Sequence, residues 1–208
     1  MQKRLTVEVV SDVVCPWCYI GKRRLEKALV LLGNDADVNV RFLPFQLNPD
    51  MPAGGMPRAD YRKAKFGSLE RSRQLDARLA AEGRGEGIEF AFERMARTPN
   101  TIAAHRLIDL AQRQGQGQKV VEELFRAYFE EGKDVGDPKV LEEIAKRGGV
   151  SGWPQAADAK EVAALEGEMR GLGISAVPTF IFDRKLGVSG AHPPEALAQA
   201  MREALSAR

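Results

Sequence analysis

The sequence predicts an α/β fold in which strands from both ends of the chain share one sheet and enclose an all-helical block. Three observations carry this. Residues Arg4–Val10 alternate in polarity and are rich in β-branched side chains, the pattern of a strand. Residues 177–190 return to that character and read as two short strands joined by a turn at Asp183-Arg184-Lys185. Between about 58 and 170 the periodicities are helical throughout. Two strands alone are marginal, so the terminal strands are expected to pair and the middle to be an insertion. The expected division is 1–57 with 171–208 as the sheet-bearing domain and 58–170 as the inserted helical domain.

Each element has its own signal. After the first strand, Ile20, Leu25, Ala28, Leu29 and Leu32 recur at helical spacing and Gly33 supplies a stop. Residues 39–47 read as a second strand, in which Pro44 marks an edge or an end, because proline has no ladder donor. "GGMP" at 54–57 and "GRGEG" at 83–87 read as flexible connections around one amphipathic helix. Thr98-Pro99-Asn100 reads as a helix start, and that helix stops at Gly115. A further amphipathic helix follows over 119–132. Asp137 as N-cap, Pro138 at the first helical position and Gly148-Gly149 as stop define the next one. One or two helices cover 153–173, and Pro193-Pro194 opens a closing helix with Glu195 in its first turn.

Composition narrows the function. With 31 basic and 29 acidic residues in 208, the net charge of +2 gives no reason to expect nucleic acid or a membrane as partner. At 44% hydrophobic residues, a chain of this length can bury a core without covalent staples. The first residues lead straight into a strand, with no apolar leader and no membrane-spanning stretch. A cytoplasmic location is therefore expected, and structural disulfides are rare there.

Both cysteines lie in "SDVVCPWCYIGKRR", as Cys15-Pro16-Trp17-Cys18. Structural zinc wants four ligands and this pair supplies two; only His105 and His192 are available besides carboxylates, so no metal is expected. Two buried thiols acting as small hydrophobes is the plainer alternative. The position between a strand and a helix favours redox chemistry. A helix N-terminus carries unpaired N–H donors and the positive end of the helix dipole, which favour a thiolate. With Cys15 as N-cap and Pro16 at the first helical position, Cys18 falls one turn in. Cys15 is then expected to be exposed, with a depressed pKa, and Cys18 buried as the resolving thiol. Cys-x-x-Cys beside such a strand and helix reads as a thioredoxin-like motif.

The surrounding residues divide between structural and chemical readings. Asp12, three before Cys15, either hydrogen-bonds the turn, the preferred reading, or accepts a proton during exchange. The Lys22-Arg23-Arg24 run is preferred as a solvated helix face over a seat for a carboxylate-bearing substrate. Trp17 is expected in an apolar docking surface, whereas Phe42, Phe45, Phe125, Tyr128 and Phe129 are expected in the core. Pro178 opens a strand in "GISAVPTFIF". In a thioredoxin-like sheet that loop lies opposite the cysteines, and a cis Val177–Pro178 bond would expose the Val177 backbone to an extended substrate.

Taken together, Cys15-Pro-Trp-Cys18, the helical insertion, Val177-Pro178-Thr179 and Ser189-Gly190-Ala191 before Pro193-Pro194 resemble the DsbA family of thiol–disulfide oxidoreductases, and more narrowly its cytoplasmic FrnE-type branch. The resemblance implies a thioredoxin-like fold with an inserted all-helical domain, a catalytic Cys15 and Cys18, and substrate contacts from Pro16, Trp17, Val177 and a cis Pro178. It implies no bound cofactor, protein or small-molecule disulfides and dithiols as substrates, and glutathione or a thioredoxin-type system as candidate recycling partner. A homodimer is compatible with it. The same superfamily holds 2-hydroxychromene-2-carboxylate isomerases and kappa-class glutathione transferases, which resemble this chain around Asn100 and in layout. They carry serine where this chain has Cys15, and a Ser-Asp pair where it has Ser189-Gly190-Ala191. Both departures weaken the transferase–isomerase alternative, while glutathione stays open as a reductant. Asn100 is read as a helix cap and His105 as structural, with a proton-carrying role in the cleft as the analogy's alternative.

Overall fold

The computed structural model describes residues 3–207. Strand β1 (Lys3–Ser11) leads into helix α1 (Pro16–Leu32) and strand β2 (Ala36–Pro44). The middle of the chain holds α2 (Arg58–Phe66), α3 (Leu69–Gly85), α4 (Ile102–Arg113), α5 (Gly117–Phe129), α6 (Pro138–Gly148) and α7 (Ala159–Gly171). It also holds two short strands, β3 (Met56–Pro57) and β4 (Arg97–Thr98). Strands β5 (Thr179–Phe182) and β6 (Leu186–Ser189) and helix α8 (Pro194–Ser206) complete the chain. The main sheet runs β2-β1-β5-β6, with β1 parallel to β2 and antiparallel to β5. Strands from the two ends of the chain thus share one sheet, and six helices lie between β2 and β5 in sequence.

The alternation of β1 sorts its side chains between two layers. Leu5, Val7 and Val9 enter the main core together with Leu25 and Ala28 of α1 and Leu197 and Met201 of α8. Val10 faces the other way and packs with Leu43, Phe45 and Met169 of α7. Glu8, on the same face as Val10, is buried, and Arg184 in the β5–β6 turn hydrogen-bonds its carboxylate. That turn has Asp183 and Arg184 at φ of 49° and 55°. The Asp183 carboxylate accepts from the Thr6 backbone N–H at 2.8 Å, and the Asp183 N–H donates to the Thr6 carbonyl at 2.9 Å, extending the β1 ladder into the turn. All five aromatic residues assigned to the core, Phe42, Phe45, Phe125, Tyr128 and Phe129, are buried.

Several boundaries differ from the sequence reading, each for a tertiary reason. The second strand covers 36–44 rather than 39–47, because it pairs in register with β1 from Lys3 opposite Ala36 to Ser11 opposite Pro44. β2 is an edge strand and Pro44 is its last residue. A β3–β4 pair, Met56 opposite Thr98, joins the segment just before the helical block to a strand within it, so Thr98 belongs to a strand and the helix starts at Ile102. The single helix expected before Gly83 is two, broken at Gly67 (φ 84°) and restarted by the Ser68 hydroxyl, which accepts from the Arg71 N–H. "GRGEG" closes α3 rather than leaving it loose, because Arg24 and Lys27 of α1 both bind the Glu86 carboxylate at 2.6 Å.

Candidate active site

The site forms where α1 begins. Cys15 is the N-cap residue (φ −94°, ψ 112°) and Pro16 the first helical residue. Proline suits that position because its missing N–H would be unpaired there in any case. The Cys18 N–H donates to the Cys15 carbonyl at 3.0 Å, so one turn stacks the two side chains on one side of the helix. Both thiols are free. Cys15 donates its thiol hydrogen to the Val177 carbonyl at 3.7 Å.

The Val177–Pro178 peptide is cis. Its loop is braced from behind: the Thr179 hydroxyl donates to the Ala176 carbonyl at 2.8 Å, and the Gly190 N–H donates to the Pro178 carbonyl at 2.8 Å. On its other side the loop meets Gly21 of α1, where a Cβ would lie 2.9 Å from Pro178 Cγ. Gly21 is therefore what lets the helix carrying the thiols approach the proline loop this closely. The sequence reading passed over it, because a glycine inside an amphipathic helix gives no local sign of what it packs against.

The expectation of an exposed Cys15 is corrected: its relative exposure is 5%. The Val177 loop lies over it, and its remaining opening is the floor of a cleft of about 490 Å³ between the start of α1 and the α2–α3 pair. Trp17 stands at that cleft with 43% exposure. Cys18 lies deeper, at 1%. Burial pushes the Cys18 thiol well above the usual range, the adjacent Cys15 adds to this, and hydrogen bonds from the Asp12 backbone and the Ser11 side chain oppose it.

The remaining candidates lie between the start of α1 and the start of α4. The preferred reading of Asp12 as a local turn bond is too narrow. Its backbone carbonyl accepts from the Cys15 N–H at 3.0 Å. Its buried carboxylate also accepts from the Leu47 N–H at 2.8 Å and lies 3.2 Å from His105 Nε2. Asp12 and His105, far apart in sequence, thus form one buried pair that ties the start of α1 to α4. Asn100 accepts from the Ile102 N–H at 3.0 Å and donates to the Met51 carbonyl at 2.7 Å, so it both turns the chain into α4 and fixes the segment after β2.

Neither reading of Lys22-Arg23-Arg24 survives. Lys22 is buried and bonded to Glu26 at 2.5 Å and Glu122 at 2.7 Å. Arg23 bonds Glu122 and stacks over the Tyr19 ring, and Arg24 bonds Glu82, Glu86 and the Ala191 carbonyl. The run is neither solvated nor available to a ligand; it clamps α1 to α3 and α5. Among the described residues no group of three or more His, Cys, Asp or Glu is arranged to hold a metal ion.

A conserved-domain description, DSBA-like thioredoxin domain, matches residues 6–202. The chain belongs to the DsbA-like thioredoxin family. The crystal structure of the probable DsbA oxidoreductase SCO1869 from Streptomyces coelicolor superposes with a TM-score of 0.89 at 34% identity, covering 98% of this chain and 91% of that one. The uncharacterized protein YwbO of Bacillus subtilis (strain 168) is 28% identical over 182 residues, 84% of this chain and 85% of its own. The cytosolic disulfide reductase DsbM from Pseudomonas aeruginosa shares the fold, with a TM-score of 0.63 at 18% identity over 98% of this chain and all of DsbM. DsbM is also known in a structure with glutathione. The thioredoxin-like fold with inserted helices is thus the family's, and the site sits within the matched region. What the sequence reading missed is the cleft's far wall on α2 and α3, including Tyr61, Arg62, Lys65 and Arg78. These residues lie more than forty positions from Cys15, and no motif marks them.

Proposed function

We propose that the protein is a thiol–disulfide oxidoreductase of the FrnE type, working through Cys15 and Cys18 with Val177 and Pro178 as the substrate-side loop. The observation that carries this reading is the pairing of two free thiols on one helical turn. Cys15 opens into the cleft beneath the Val177 carbonyl, and Cys18 is sealed behind it.

In the reducing direction the Cys15 thiolate attacks one sulfur of a substrate disulfide. The substrate S–S bond breaks, and its leaving thiolate takes a proton from water. Cys18 then gives up its proton and attacks Cys15 sulfur, which releases the second substrate thiol and leaves a Cys15–Cys18 disulfide. Two electrons pass from the protein to the substrate, and the oxidising direction reverses every step. Cys18's raised pKa suits the second role: it stays protonated and inert until a mixed disulfide forms next to it.

Pro16 and Trp17 line the cleft beside the attacking sulfur, and the cis Val177–Pro178 loop offers backbone groups to an extended substrate. Asp12 and His105 are proposed to position the start of α1 through their buried pair, and Asn100 to turn the chain into α4, the helix that carries His105. The inserted unit, which we delimit at 58–170, supplies the far wall of the cleft. A cytoplasmic setting fits a chain whose two cysteines are both committed to the redox pair. Glutathione or a thioredoxin-type reductase is the candidate recycling partner, a reading that DsbM's glutathione complex supports by fold analogy. The glutathione-dependent transferase or isomerase alternative is disfavoured by Cys15 itself, which stands where those enzymes use serine.

The deciding experiment is insulin reduction with a dithiol donor. Cys15→Ser is expected to abolish it, and a Cys15→Ser protein with full activity would overturn the reading. Cys18→Ser is expected to accumulate mixed disulfides through Cys15, detectable by mass spectrometry. Turnover with glutathione that survives Cys18→Ser would instead support the alternative.

A further inference from the structure

The cleft above Cys15 is lined by two chemically distinct sets of side chains. One set is apolar: Trp17 from the start of α1, Leu47, and Phe66, Leu75 and Leu79 of α2 and α3. The other is three cations of the same two helices, Arg62, Lys65 and Arg78, and no acidic side chain is among the residues that line the cleft.

The three cations are not equivalent. Arg62 is committed to Asp76 at 2.5 Å and to the Ser72 hydroxyl at 2.6 Å. Among the described residues Lys65 meets no carboxylate: its ammonium donates to the Tyr61 hydroxyl at 2.6 Å and lies over the Tyr61 and Phe66 rings. Exposed Arg78 likewise meets no carboxylate among the described residues. In a chain where Lys22, Arg23, Arg24, Arg58 and Arg62 all have acidic partners, two cations with no acidic partner among the described residues, lining the same cleft as Cys15, create a local positive field.

We propose that this cleft selects polypeptide disulfides in which the attacked cysteine is flanked by an acidic residue and a large apolar one. The inference rests on the oxidoreductase reading and adds the substrate class. The carboxylate sits between Lys65 and Arg78, and the apolar side chain lies against Trp17 and Phe66. A cleft of about 490 Å³ has room for such a segment. Glutathione disulfide supplies carboxylates but no apolar side chain, so it would leave Trp17 and Phe66 without a partner. The occupant favoured by the cations and the apolar residues together is therefore a peptide.

The test uses the reduced full-length protein and measures second-order rate constants for loss of protein thiols. The substrates are matched disulfide peptides flanked by Phe-Glu, Phe-Lys or Ser-Glu, glutathione disulfide, and oxidised dithiothreitol. At low ionic strength Phe-Glu is expected to react about fivefold to tenfold faster than Phe-Lys, the scale of two partly exposed charge pairs acting together. The gap is expected to narrow in salt. In the double variant Lys65→Glu, Arg78→Glu the preference is expected to reverse. Because the readout is a ratio within one protein, partial loss of folded material does not affect it.

Equal rates for Phe-Glu and Phe-Lys, or an unchanged ratio in the double variant, overturn the inference. So does a faster reaction of glutathione disulfide than of Phe-Glu, which would assign the cations to the tripeptide. These outcomes leave the oxidoreductase reading standing. Failure with every disulfide, oxidised dithiothreitol included, removes that reading as well.

Discussion

In the body of α1, Lys22, Arg23 and Arg24 each meet carboxylates from neighbouring helices, while at the cleft by the helix tip Lys65 and Arg78 meet none among the described residues. The sequence draws attention to the first set, three consecutive cations that begin four residues past the Cys-x-x-Cys motif. The structure makes that set a clamp and leaves the dispersed second set available. What separates them is the presence of partners, and partners come from elements distant in sequence: Glu122 from α5, Glu82 and Glu86 from α3. Changes in the helix body should therefore cost stability, with activity following. Changes at the cleft should alter exchange with little effect on folding.

The largest stability effect is expected at Glu122. Burial alone would raise its pKa, but its bonds to Lys22 and Arg23 outweigh this and hold the carboxyl below the usual range. Glu122→Gln leaves Lys22, whose side chain is 5% exposed, with only Glu26 as partner. Because one partner survives, the cost is expected at about 2–3 kcal/mol, below that of a fully orphaned buried charge. A carboxyl depressed in the folded state stabilises above its unfolded pKa and loses that contribution as pH falls through its folded value. Urea titrations should show the full gap between wild type and variant at pH 7, closing as pH drops below about 4.3, the ordinary glutamate value. A gap that stays constant from pH 7 to pH 3 would rule out the ion-pair account.

Gly21 comes next and couples the helix body to the site. Gly21→Ala places a methyl 2.9 Å from Pro178 Cγ and 3.2 Å from Phe180 Cζ, both in packed surroundings. Overpacking of this kind costs about 1–3 kcal/mol, and the better helix propensity of alanine returns about 0.5–1 kcal/mol. The net loss should be about 1 kcal/mol, readable by urea unfolding. Insulin reduction should fall more than stability does, because relief of the clash moves Pro178 and with it the Val177 carbonyl that faces Cys15. Activity that merely tracks the folded fraction would show that the loop tolerates the shift.

How much of this was legible in the sequence depends on how local each signal is. Strand β1, the β5–β6 hairpin, and the helices opened by Asp137-Pro138 and Pro193-Pro194 announce themselves through alternation, turn residues and caps within a few positions. The start of α1 at Pro16 is legible for the same reason. The first residue of β2 is not, since parallel pairing with Lys3 sets it. Nor is the β3–β4 pair, whose two-residue strands carry no periodicity. At the site, the two cysteines and the proline loop stand out as motifs. The burial of Cys15, the Asp12–His105 pair and the α2–α3 wall of the cleft arise only when segments far apart in the chain meet.

Trp17 offers the smallest effect on stability and the sharpest test of the cleft. Its ring is partly exposed, and α1 is held by the clamp and by its buried apolar face, neither of which uses Trp17. Trp17→Ala should therefore shift unfolding by no more than about 0.5 kcal/mol. For a disulfide peptide with a flanking phenylalanine, loss of an aromatic contact of this kind should lower the exchange rate about tenfold. A peptide with serine at that position has no apolar side chain to lose contact with and should slow much less. The ratio of the two losses separates a docking surface from a perturbed thiol: a changed Cys15 slows every disulfide equally, whereas a lost aromatic wall slows only the substrates that used it.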